Sequence, residues 1–146
     1  MSGGSHWPPL RGGEQLVPAS EQRLWRQVNP RWFSGGIVGD LAFRSSEEEN
    51  YQLSVSQESK VSAQSAYEFH TGTMGRQSAG VAAVTSAEVA EVGCRTVDDE
   101  DMQENDPPTP GHAYIDNRGF SKNERKDIRE ELADFATIRG LVYPTG

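Results

Sequence analysis

Histidine, cysteine and clustered carboxylates carry most enzyme and metal chemistry, and in this 146-residue chain they are few and scattered. His6 lies among glycines and prolines, His70 ends an expected helix and His112 opens an expected strand, so none has the spacing of a metal ligand. His112 and Asp116, four apart, would project to the same side of an extended strand, where the carboxylate could orient the imidazole as a base. His70, near its helix C-terminus, more simply complements the dipole. Cys94 is the single cysteine, which excludes an intrachain disulfide and a cysteine-rich zinc site. Arg95 beside it would favour a thiolate, but no histidine partner can be assigned, and it is read as a buried or incidental thiol. Six of the nine residues from Asp98 to Asp106 are acidic, without the alternating ligands, turn glycine and closing glutamate of a calcium loop. Ser34-Gly35-Gly36 and Gly72-Thr73-Met74-Gly75 match neither a phosphate loop nor a dinucleotide fingerprint. No metal and no cofactor are expected.

The elements that must position these residues can be read from period and punctuation. Residues 1–20 carry seven glycines and prolines, a density of breakers that predicts a flexible N-terminal arm before a single domain over 21–146. Strands are expected at RLWRQV (23–28), where a short helix starting after Ser20 is the alternative, as a bent strand at IVGDLAF (37–43), at YQLSV (51–55), at AGVAAVT (79–85) and at HAYID (112–116). Ser62 caps a helix that Gly72 should stop, and Thr85 with Glu88 forms a capping box for a short helix ended by Gly93. Ser121 with Glu124 repeats that box at the start of the strongest helix, whose Ile128, Leu132, Phe135 and Ala136 share one face. Residues 98–111, acidic and then proline-rich, predict an exposed loop. The tail LVYP would add an edge strand or a latch. The sum is one α+β domain: a mixed or mainly antiparallel sheet of about five strands, packed by a long C-terminal helix and one or two short helices.

Charge and hydropathy exclude some partners. Fourteen basic against 22 acidic residues leave a net charge of −8, which repels nucleic-acid phosphates and anionic lipid. No window approaches the roughly 18 apolar residues of a membrane span, and MSGGSHWPPL lacks the pattern of a secretory signal, so a cytoplasmic protein is expected.

In order, the segments RQVNP, GDLAF, LSV, SAGVAAVTSAEV, PGHAYID and GLVYP resemble a family of small bacterial cytosolic proteins over about residues 26–144. That resemblance implies a bacterial cytosolic setting and carries no catalytic residues across. A second likeness is to compact ADP-ribosyltransferase-like domains, which order an arginine or histidine, a serine or tyrosine, and a late glutamate along the chain. Here Arg26, Ser54 and Glu88 stand in that order; the resemblance implies that the first two would hold NAD and the third would stabilise charge as nicotinamide leaves.

The leading expectation is a non-enzymatic accessory or protein-interaction domain, part of a bacterial conflict or defence module. Its contact elements would be Trp25, Trp32 and Phe33 as aromatic anchors, with Asp98, Asp99, Glu100 and Asp101 steering a basic partner. The alternative is the NAD-handling transferase. A third reading is a homo-oligomer in which HAYID or LVYP pairs across a two-fold axis.

Overall fold

The computed structural model describes residues 7–104 and 107–144. Among the described residues eight strands form: β1 (Gln15–Val17), β2 (Arg23–Val28), β3 (Phe33–Ser34), β4 (Ile37–Val38), β5 (Gln52–Gln57), β6 (Gly80–Thr85), β7 (Arg95–Asp98) and β8 (His112–Asp116). Helices are α1 (Ala63–Glu68), α2 (Ser86–Glu91) and α3 (Lys122–Arg139). Six strands make one antiparallel sheet in the order β1-β7-β8-β5-β2-β6, and β3 with β4 makes a small separate hairpin. The chain is therefore an α+β domain with a long C-terminal helix and short helices, as the periodicity predicts.

Alternation decides which side chain covers which face. Leu24, Leu53, Val55, Ala82, Val84, Ala113 and Ile115 point to one face, where α3 lays Ile128, Leu132 and Ala136 and α2 adds Val89. Phe135 is only half-buried against this core. Trp25, Val81 and Ala83 point to the other face, where α1 adds Ala66 beside Val61. With cover on both sides all six residues of β6 are buried, which is why GVAAVT reads as an unbroken apolar run. Both capping boxes form: Thr85 Oγ1 accepts from the Glu88 amide while Glu88 accepts from the Thr85 amide, and Ser121 and Glu124 do the same for α3.

Several expectations are corrected. The arm expected over 1–20 is engaged from Trp7 onward, its first six residues lying outside the described ones. β1 pairs with β7, Trp7 Nε1 donates to the Asp116 carbonyl at 3.1 Å, and the Arg95 guanidinium lies 5.1 Å from the Trp7 ring centre. Tyr114 donates to Glu14 at 2.9 Å, so the arm is fastened by buried polar contacts that its glycines and prolines do not advertise. The expected bent strand over 37–43 is the two-residue β4 followed by a 3₁₀ turn at Asp40–Phe43. Gly39 forces the change: its amide donates to the Trp32 carbonyl at 2.6 Å, and an added Cβ would lie 3.1 Å from that oxygen. Beyond α1 the chain does not stop at Gly72 but widens into a π-type turn, Phe69–Thr73, and the positive φ of 67° falls on Gly75.

The two segments offered for pairing between copies are occupied within the chain. HAYID is β8, held between β7 and β5. The LVYP tail is a latch on β6: the Val81 amide donates to the Tyr143 carbonyl at 2.7 Å and the Val142 amide to the Val81 carbonyl at 2.8 Å. Gly80 permits this approach, since a Cβ there would stand 2.8 Å from the Tyr143 carbonyl. Among the described residues no helix is long and apolar enough to cross a membrane.

Candidate functional site

The sheet is not closed between β2 and β5. Their ladder consists of two pairs, Leu24 with Gln57 and Trp25 with Ser56. Past that point β2 follows β6 as far as Gly80, while β5 follows β8 as far as Asp116, and the strands part. Arg26 fills the fork. Its Nε donates to the Ala42 carbonyl at 2.6 Å and its Nη1 to the Ser54 carbonyl at 2.9 Å, so the side chain takes over the role of a missing strand partner.

A cavity of about 670 Å³ opens above the fork, a volume within the roughly 300–1,000 Å³ of small-molecule sites. Trp25 and Trp32 line it from the β2 side, and Phe69, His70 and Arg76 from the turn after α1. Ser54, Ser56 and His112 line it from the sheet. Four cationic or protonatable side chains, Arg26, His70, Arg76 and His112, thus line the cavity together with one acidic group, Glu49. Burial pushes the Arg26 guanidinium down to about 10, opposed by the charge of Glu49, so it remains protonated at neutral pH. Among the described residues no carboxylate bonds to Arg26, and none bonds to the exposed Arg76. Burial holds His70 below the ordinary histidine value; a contact with the Gln77 carbonyl opposes the shift, and the charges of Arg76 and Arg26 add to it.

At the far end of the cavity His112 Nδ1 lies 2.6 Å from Asp99 Oδ1, with side chains only 14% and 10% exposed. A carboxylate accepts, so Nδ1 carries the proton and Nε2 of the neutral ring is an acceptor. Asp99 also accepts a longer bond from Gln103 Nε2 at 3.4 Å. Asp116 is not the partner of His112: it is fully buried and holds Arg95 Nε at 2.9 Å and Arg118 Nε at 2.8 Å.

The remaining candidates divide. Arg26 and Ser54 come together in the cavity, but Glu88 does not join them: besides closing its capping box it holds Arg139 Nη2 at 2.9 Å. The three residues of the transferase reading therefore do not meet in one cleft. Trp25 is a core residue, 6% exposed, whose Nε1 donates to the Val61 carbonyl at 2.8 Å, while Trp32 and Phe33 are half-buried against the main core. The acidic stretch is not a free loop. Lys60 bonds Asp98 at 2.6 Å and Glu100 at 3.1 Å, Asp99 is buried, and only Asp101 of the four candidates is fully exposed. The Lys60 ammonium between Asp98 and Glu100, with the hydrogen bond from His112 to Asp99, offsets the repulsion that predicts an exposed excursion. Within that stretch 105 and 106 lie outside the described residues.

Sequence reading offered Met74 and Arg76 as residues that could line a groove, and both line this cavity, but it missed the pairing of His112 with Asp99. His112 itself stood out, but nothing in a run of six acids marks Asp99 as the one folded back.

Cys94 is 5% exposed, with Sγ 3.7 Å from Asn117 Oδ1, and burial followed by the charge of Asp116 pushes its thiol up to about 12. Native protein at pH 8 is therefore expected to react with Ellman's reagent only at the rate of opening, and fully once denatured; rapid native labelling would contradict the burial. Among the described residues no three His, Cys, Asp or Glu side chains gather to hold a metal ion.

No protein-family model, no curated protein and no solved structure matches this chain.

Proposed function

We propose that this chain is a binding domain whose cavity between β2 and β5 receives an anionic group. The observation that carries this reading is Arg26: a charged guanidinium fixed by two backbone carbonyls at the base of a 670 Å³ cavity, with no carboxylate bonded to it among the described residues. A held, unneutralised guanidinium is preorganised for a phosphate or carboxylate. Arg76 adds positive charge on the facing turn, beside His70, whose protonated form burial disfavours.

The test uses calorimetric titration with inorganic phosphate and with sulfate at low ionic strength. Binding is expected in wild type and lost in Arg76→Glu, a change at an exposed side chain that leaves the sheet intact. Equal heats from both proteins would refute the reading. Arg26→Lys is a second variant, expected to keep the charge and lose geometry.

A protein-interaction role is supported by a different surface from the one the aromatic and acidic candidates suggest. Ile37, Leu41 and Ile138 are 61%, 42% and 86% exposed, on β4, the turn after it and the end of α3. These elements pack on one another, with the Val38 amide donating to Thr137 Oγ1 at 3.0 Å. An accessory module of a bacterial cytosolic system would use this apolar face, and Ile138→Asp would abolish capture of its partner while Arg76→Glu would not.

A further inference from the structure

Granted that the cavity takes an anion, its opposite end says what else the ligand must carry. Trp25, Ser56 and His112 stand in one row across β2, β5 and β8, so His112 lies about two strand spacings, roughly 10 Å, from the β2 backbone that carries Arg26. Asp99 fixes the tautomer there and presents Nε2 as an acceptor. Among the described residues neither His112 Nε2 nor Ser56 Oγ bonds to a protein group. Trp32 and Phe69 also line the cavity and supply aromatic surface for a flat ring. We infer that the ligand is a nucleoside monophosphate, its phosphate on Arg26 and Arg76, its base against the aromatic side chains and an N–H of the base donated to His112. Inorganic phosphate would fill only the cationic end, and a free nucleoside would leave that end unpaired.

The experiment is calorimetric titration of the full chain with adenosine, guanosine, cytidine and uridine 5′-monophosphates, and with adenosine and ribose 5-phosphate as the two halves. At least one nucleotide is expected to bind about tenfold or more tighter than either half. His112→Phe is expected to remove that advantage, bringing the nucleotide down to the affinity of ribose 5-phosphate and leaving ribose 5-phosphate itself unchanged. Ser56→Phe, which fills the space beside His112, should do the same, and guards against a fold defect confined to the first variant. Nucleotide and ribose 5-phosphate binding equally in wild type, or a nucleotide affinity untouched by both variants, would overturn the inference while the anion reading stands. Failure of phosphate, ribose 5-phosphate and all nucleotides to bind would sink both.

Discussion

Replacing Asp116 by alanine should destabilise the fold by about 3–5 kcal/mol, the loss typical of stripping one side from a buried charge cluster. The carboxylate is fully buried and accepts from Arg95 Nε at 2.9 Å, from Arg118 Nε at 2.8 Å, from Arg118 Nη2 at 2.9 Å and from the Arg118 amide at 3.1 Å. Without it two guanidiniums, 15% and 17% exposed, face each other with no anion between them. The loss also reaches the N-terminal segment, because Arg95 supports the Trp7 ring and donates to the Pro8 carbonyl at 2.8 Å. Urea unfolding monitored by tryptophan fluorescence should show a lower midpoint with an unchanged slope. A loss below about 1 kcal/mol would mean that the arginines re-solvate easily and the cluster is peripheral.

Leu132→Ala should cost about 2–5 kcal/mol, through lost burial plus the cavity left behind. Leu132 is fully buried where α3 meets the sheet, in the same core as Leu53, Ile115 and Phe43. Ile138→Ala, on the same helix but 86% exposed, is the matched control and should change stability by no more than about 0.5 kcal/mol. Equal effects from the two would refute the assignment of the helix face.

That helix face could be read from residue order alone, and so could the two capping boxes, because both rest on local spacing. β1 and β7 could not. β1 is three residues long amid breakers, and β7 runs straight into the acidic stretch, so each becomes a strand only by pairing with a neighbour remote in sequence. The same holds for the cavity. Arg26 and Ser54 stood out as an ordered pair, but their meeting depends on β2 and β5 parting after two pairs, and no single-chain pattern encodes that. Glu88 was legible as a helix cap, and the structure gives it that job. Asp99 was illegible because its partner, thirteen residues on, selects it from among equivalent acids.

The latch on β6 has a consequence for solubility. GVAAVT is six uncharged, proline-free residues on the outer rim of the sheet, a composition that favours stacking into cross-β fibres when its backbone is bare. Val81 is covered by the Val142–Tyr143 backbone, and the Ala83 carbonyl by the Arg139 guanidinium at 2.9 Å. Proteolytic trimming back to Arg139 would strip the main-chain cover from this rim and turn a protected edge into a seed for polymer growth.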